Sequence, residues 1–438
     1  MIRSLLLLLL AVSVLNAQAA AGAVVTPPPP ANVTDVLKNR TVLLQKFASL
    51  RDKGNCSALT GTVGITLKYG REGNLWMQYL NLIWLAKYLN RMPVISSNDK
   101  IFKHFDMRHL HSSFCIADNA MRRGVRGKHN HLDIRANEIH GPYHLYKKYA
   151  AQLPPQKSAE ALESAADDML FFFAAIYAGL KQPMVDMLAA YITKHFQASF
   201  NYVVIQKRNY EGSCCWILYR YCQYSDFSSD QFDMTTDEWK QYYATDQSLG
   251  RFRLNNTFWR PPYVSDPAAP PRPSYHPLCN MTAGLVQGAV RTQLHMSTPP
   301  LSNTDTHRDR DRDTEAETET GIAPPLHYFL MSDQQQPVAP EVTATLRPTL
   351  YSGPEATLMD RLIATHSRLF IRNSASSFSL SSDVVRRILS LPLSGLADNS
   401  SADYFFGDWF SYQNLTTVAH RRKQEFASLL LSEEQEAR

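Results

Sequence analysis

The chain has 438 residues, 44% of them apolar and 19% charged, enough apolar material for the cores of two ordinary domains and too much for the whole to be intrinsically disordered. Lysine and arginine number 45 against 40 aspartates and glutamates, a net charge of +5. That balance is too even for nucleic acid to be the main partner.

Arg3 precedes an apolar run, Leu5 to Leu15, closed by the small-x-small triplet Ala17-Gln18-Ala19. The run is shorter than the roughly 20 residues a membrane helix needs, so residues 1–19 are expected to be a removed signal peptide, leaving no stable membrane span. Seven Asn-x-Ser/Thr sequons, at Asn32, Asn39, Asn55, Asn255, Asn280, Asn399 and Asn414, suit a luminal chain. Cys56, Cys115, Cys214, Cys215, Cys222 and Cys279 form an even set without a CxxC pair, which reads as disulfides whose pairing the sequence does not choose. The expected location is the secretory pathway, the endoplasmic reticulum lumen first, with secretion as the alternative. The C-terminus lacks a KDEL-type signal.

Residues 20–57 hold the proline tract Pro27 to Pro30 and are expected to be an N-terminal extension. Leu59 to Lys68 then has strand character, Leu75 to Asn90 is apolar on nearly every face as a helix buried on a sheet must be, and Pro93 to Ser96 is a short strand. Strand, glycine-bearing turn, helix and strand make the repeating unit of an α/β layer. Residues 158–197 are expected to be helical with a break near Pro183, and Tyr202 to Ile205 to open a second domain. The aromatic- and proline-rich segment 223–278 resists assignment, and 302–322, with its Arg-Asp repeat, is low-complexity. The α/β rhythm resumes with a strand over His327 to Met331, a helix over Glu355 to Thr365, a strand over Leu369 to Ile371 and a helix over Ser376 to Leu389. The expected domains are therefore 58–198 and 199–412, followed by a helical tail, 413–438.

Three places carry candidate chemistry. Gly70-Arg71-Glu72-Gly73-Asn74 stands where a strand hands over to a helix, so its backbone can approach a phosphate, although glycines there also serve simply as turn formers. Arg372-Asn373-Ser374-Ala375-Ser376-Ser377-Phe378 is a second such junction, readable as a diphosphate cradle or as a serine-rich N-cap. Arg208, just past the strand ending at Ile205, offers a guanidinium fork to a leaving phosphate or a surface ion pair. A histidine-rich stretch with His104, His109, His111, His129, His131, His140 and His144 contains two His-x-His pairs that could bind zinc on strands, but no Cys, Asp or Glu completes a tetrahedral set at a recognisable spacing, and a basic, solvated segment is the expectation.

In order and spacing, Gly70 to Asn74 with Leu85 to Arg91, Tyr202 to Arg208, Asp360 through Leu369-Phe370-Ile371 to Ser376-Ser377-Phe378, and Phe405-Phe406-Gly407 resemble the GDP-fucose protein O-fucosyltransferases, most of all the branch that modifies EGF-like repeats. The resemblance covers most of residues 60–410. It implies the α/β GT-B type, two Rossmann-like domains facing a central cleft, and inverting transfer of L-fucose from GDP-fucose to a Ser or Thr hydroxyl of a folded, disulfide-bonded domain. It implies no metal and no cofactor beyond the donor itself. Asn74 and Arg208 would be catalytic. Arg71, Glu72, Gly73, Asn74, Gln206, Lys207, Arg208, Asp360, Ser376, Ser377 and Phe378 would bind GDP-fucose, Asp360 at the guanine. The sequence departs from the family at Gln206, where histidine is usual, at Glu72, where an aromatic is usual, and at Leu75. Those departures keep two alternatives open: an inactive GT-B scaffold that binds glycoproteins, and a fucosyltransferase acting on a glycan.

Overall fold

The computed structural model describes residues 32–65, 72–117, 131–134, 159–207, 282–294, 326–332, 340–372, 377–395 and 412–436. Helix α1 (Val33–Ser49) is followed by strand β1 (Thr62–Ile65), helix α2 (Glu72–Tyr88), strand β2 (Met92–Pro93), helix α3 (Arg108–Ser113) and strand β3 (His131–Ile134). β1 lies between β2 and β3 and is parallel to both. A disulfide joins Cys56 to Cys115. The other four cysteines lie outside the described residues.

Two expectations change here. Residues 20–57 contain more than an extension, because α1 buries Val33, Leu37, Leu44 and Phe47 against the helices that follow. β3 lies in the histidine-rich stretch, and His131 is not a solvated side chain: its Nδ1 is 2.7 Å from Thr62 Oγ1 and its Nε2 3.0 Å from Asp133 Oδ1. Strand pairing with β1 fixes that chain of contacts, and a four-residue strand inside a basic segment leaves almost no periodic signal.

Helices α4 (Ala159–Ala178) and α5 (Gln182–Phe196) come next. The break falls at residues 179–181, while Pro183 sits in the first turn of α5, where its missing N–H costs nothing. Gly179 is required at the break, since a Cβ there would collide with the Asp106 carbonyl, and the Asp106 N–H donates to the Gly179 carbonyl at 2.6 Å. The second sheet is built from β4 (Tyr202–Lys207), helix α6 (Ala283–Leu294), β5 (His327–Ser332), helices α7 (Pro340–Leu346) and α8 (Ala356–His366), β6 (Leu369–Arg372), helix α9 (Ser377–Ile388) and β7 (Leu393–Gly395). Its order is β5-β4-β6-β7, all parallel. Helix α10 (Tyr412–Glu436) closes the chain against α4 and α9.

The period of two in β4 and β6 sorts their side chains. Val203, Ile205, Leu369 and Ile371 pack with α6 and α7 on one face, and Tyr202, Val204 and Phe370 join the larger core on the other. Covering both faces is what allows such uninterrupted apolar strands in a parallel sheet. The larger core continues into the first half, through Leu380 and Val384 of α9 to Leu80 and Trp84 of α2 and Phe171 to Phe173 of α4. From Met169 to Ala178 α4 is apolar on every side, and the helix has neighbours all round it: α1, α2, α3, α9 and α10. Among the described residues no helix is long and apolar enough to cross a membrane. The fold is α/β with two parallel sheets, the arrangement that the GT-B expectation requires.

Candidate functional site at the strand-to-helix junctions

In a parallel sheet every strand ends at the same edge, and ligands lie beyond that edge. Of the residues singled out in the sequence, Glu72 to Asn74, Lys207, Ser377 and Phe378 fall at strand ends or helix starts. Helix α2 begins at Glu72, earlier than its apolar pattern shows, so Glu72, Gly73 and Asn74 form its first turn. The N–H groups of a first turn have no partner within the helix and are free to meet an anion. Ser377 and Phe378 hold the same position at the start of α9, directly after β6. Lys207 is the last residue of β4, paired in register with Ser332, the last of β5. Arg71, Arg208 and Ser376, and the aromatic-glycine piece at 405–407, lie outside the described residues.

The two junction helices meet. α9 packs on α2 as well as on α4 and α8, although some 300 residues separate them in sequence. Arg361 of α8 sits at the meeting point, 1% exposed, with its guanidinium 6.0 Å from the centre of the Trp76 ring. Its carbonyl accepts from Ser382 Oγ of α9 at 3.0 Å. Tyr177 of α4 donates to the neighbouring Ser381 Oγ at 3.1 Å. Trp76 is one turn beyond Glu72, and Ser382 lies about 7.5 Å along α9 from Ser377. The helices that the two junction motifs open therefore pack on one another around Arg361, an outcome of helix packing that spacing in the sequence does not reveal.

Asp360 precedes Arg361 in α8. Its carboxyl lies within electrostatic reach of Tyr191 and Tyr351, whose rings meet edge to face at 5.1 Å. Burial raises its pKa from the ordinary carboxylate value to about 7, against the smaller opposing pull of Arg361. No described residue donates a hydrogen bond to it. A carboxyl held at the point of ionisation in a protein interior is suited to accept hydrogen bonds from a ligand that brings its own donors. Gln206 is 2% exposed and shares the face of Tyr202 and Val204 in β4, so it belongs to the sheet's interior face.

Sequence reasoning placed Arg372 at the second junction but missed the buried polar network behind the site, with Asp383, Arg386 and Arg40. Arg372, the last residue of β6, donates to Asp383 of α9, which also accepts from Arg387 at 2.5 Å. Arg386, fully buried, donates to the carbonyls of Ala364, Thr365 and Ser367 at 2.8–3.2 Å. Arg40 of α1 donates to the His366 carbonyl at 3.0 Å. These carbonyls belong to the C-terminal end of α8, where unsatisfied acceptors and the negative end of the helix dipole favour cations. The only sequence signal was the Asp383, Arg386, Arg387 spacing, which is that of an ordinary exposed helix face. Among the described residues no three His, Cys, Asp or Glu side chains converge as a metal-ligand set.

The fold is that of an α/β protein with two parallel sheets, in which helices α2 and α9 follow strands β1 and β6. No protein-family model matches the chain, and no curated protein is similar to it. Among solved structures it is similar to the apo form of POFUT1, with a TM-score of 0.40 and 11% identity over 77% of this chain and 97% of that one. It is also similar to POFUT1 in complex with GDP-fucose, with a TM-score of 0.39 and 12% identity over 78% of this chain and 99% of that one. For POFUT1 in complex with GDP the TM-score is 0.37, at 12% identity.

Proposed function

We propose that this protein is a GDP-fucose-dependent glycosyltransferase of the secretory pathway that places L-fucose on a Ser or Thr hydroxyl of a folded, disulfide-bonded protein domain, EGF-like repeats first. The observation that carries this reading is the meeting of α2 and α9, the helices opened by the two junction motifs, around Arg361. First-turn N–H groups of Glu72 to Asn74 and of Ser377 and Phe378 would hold the diphosphate, with Arg71, Lys207 and Ser376 beside them. Asp360 would take the guanine through its N1–H and amino group.

Transfer is driven from the leaving group. As the fucosyl bond to the β-phosphate lengthens, negative charge grows on the phosphate and the sugar becomes oxocarbenium-like. Arg208, the residue after Lys207, would meet that charge with two parallel N–H donors, and Asn74 would position the reacting groups. The acceptor hydroxyl enters from the opposite face, its oxygen bonds to the anomeric carbon as GDP leaves with the electron pair of the broken bond, and its proton passes to solvent, so the anomeric centre inverts. No metal or further cofactor is required in this scheme, because the arginine and the helix starts supply the positive potential.

Calorimetric titration of the full chain with GDP-fucose, GDP and GDP-mannose tests the donor site. Saturable binding of GDP-fucose and GDP, with GDP-mannose weaker, is expected. Arg208→Ala should retain GDP binding within a few-fold and lose transfer to an EGF-like acceptor by at least about 100-fold, the scale of one lost charge-stabilising donor. Gln206 and Glu72 favour one second reading, a scaffold that binds glycoproteins without turnover. Acceptor binding by a well-folded chain that does not bind GDP would establish that reading instead.

A further inference from the structure

The loop that joins α1 to β1 leads into the N-terminal end of β1, the end remote from α2. Two points fix its course. Cys56 is joined to Cys115, just past α3, and Thr60 donates through its N–H and its hydroxyl to the Asn90 carbonyl, both at 2.9 Å. Asp52 to Asn55, Ser57 and Ala58 are exposed. Gly54, at a φ of +71°, turns the chain into a single 3₁₀ turn, Cys56–Ala58, which Asn55 caps.

Asn55 opens the sequon Asn55-Cys56-Ser57. Its Oδ1 accepts from the Ser57 N–H at 3.1 Å and from the Ser57 hydroxyl at 2.7 Å. Both donors are two residues away, so local chain alone forms this turn, before the fold is complete. With the oxygen engaged, no described residue holds the amide nitrogen Nδ2 of this exposed side chain. The other described sequons are committed to packing. In Asn32-Val33-Thr34 the middle residue is buried under α1. In Asn39-Arg40-Thr41, within α1, the Thr41 hydroxyl donates to the Leu37 carbonyl and Arg40 to that of His366. In Asn414-Leu415-Thr416, in α10, Leu415 is buried. Asn255, Asn280 and Asn399 lie outside the described residues.

We infer that Asn55 is a modification site that carries an N-linked oligosaccharide, placed in a surface loop as such acceptors are. The inference rests on the secretory reading of the proposed function and not on fucose transfer. The donor is a lipid diphosphate-linked oligosaccharide and the catalyst a luminal oligosaccharyl transferase. Asn55 Nδ2 bonds to the anomeric carbon, the carbon–oxygen bond to the diphosphate breaks, the lipid diphosphate leaves with that electron pair, and one amide proton passes to the transferase's base. The neighbouring cysteine sets a time for this. Cys115 lies 59 residues further on, about 3–12 s of synthesis, so Asn55 reaches the lumen in an open chain before the disulfide can close the loop. In the folded protein β1 alone puts about 13 Å between this loop and the sheet edge where the donor is proposed to bind.

The test is expression of the full chain in secretory cells, release of glycans with peptide N-glycosidase in heavy-oxygen water, and peptide mass spectrometry, which reads an occupied asparagine as labelled aspartate. Most of the Asn55 peptide is expected to be labelled. Ser57→Ala should lower its labelling at least tenfold, Ser57→Thr should restore it, and GDP affinity should stay within twofold in both. Cys115→Ser, which removes the competing closure, should leave occupancy as high or raise it. Unlabelled Asn55 in a chain labelled at other sequons overturns the inference and leaves the secretory reading standing. A chain labelled at no sequon overturns both. Occupancy at least twofold lower in Cys115→Ser overturns the order in which glycan and disulfide are placed.

Discussion

The interior around α4 and the interior where α8, β6 and α9 meet are both closed to water, by opposite means. In the first, the Trp76 ring meets Phe102, Phe105, Phe172 and Phe173 nearly edge-on at 5.4–6.1 Å, and packing of aromatic surface supplies the stabilisation. In the second, Arg361, Arg372, Asp383 and Arg386 are each 5% exposed or less, and Arg372 and Arg386 are held by carboxylate and carbonyl oxygens. Apolar contact degrades gradually when a side chain shrinks. A buried cation and its acceptors fail together, since each partner left behind is a polar group without water.

The sharpest way to break this contrast is Arg386→Met. The substitution conserves much of the side chain's length but strands the carbonyls of Ala364, Thr365, Ser367 and Pro392 at about 1–3 kcal/mol each, so a loss of about 5 kcal/mol is expected in urea denaturation. Arg386→Lys should recover only part of it, because an ammonium cannot reach in the directions of a planar fork. A loss no larger than that of the exposed Arg421→Ala would show that the carbonyls find other donors, and the contrast would fall. Phe172→Ala probes the other interior, where the lost contacts and the cavity together cost about 3–5 kcal/mol. Phe172→Leu, which keeps most of the volume, should cost distinctly less, the graded response that the polar interior lacks.

The contrast also explains what the sequence made legible. Strands at Tyr202, His327 and Leu369 and the helices after Gly73, Glu355 and Ser376 were readable because alternation and turn residues report how a segment lies on a sheet. α1 was not, because a helix behind a proline tract with no strand beside it carries no sign of the α4 groove it fills. Arg386 was not either. A charged residue in an amphipathic helix reads as solvent-facing unless its acceptors are visible, and these are main-chain carbonyls about 20 residues away. At the site, the junction positions were legible from glycine, serine and strand endings, whereas their convergence on Arg361 depends on how α9 packs across α2.

The smallest expected effect separates two titrating groups on one helix. Burial, then the charges of Arg40 and Arg386, hold His366 well below the usual imidazole range, so the unfolded chain takes up a proton near pH 6.5 that the native protein refuses. Its contribution is intact above pH 6.5 and is lost as pH falls below it, by up to about 1.4 kcal/mol per unit. Asp360 runs the other way. With a native pKa of about 7 against an ordinary 3.8, the folded protein keeps a proton that the unfolded chain releases, and the stability this gives is full below 3.8 and lost as pH rises to about 7. Between about pH 4 and 6.5 the two slopes oppose each other. His366→Gln, which still offers Arg40 an acceptor, should gain stability relative to wild type as pH falls below 6.5. Asp360→Asn should gain relative to wild type as pH rises from 4 to 7. Parallel denaturation curves from pH 4.5 to 8 check both signs. GDP binding adds a link to the site, because a guanine that donates to Asp360 must bind its ionised form. GDP affinity should therefore rise between pH 6 and 8 in the wild type and lose that dependence in Asp360→Asn.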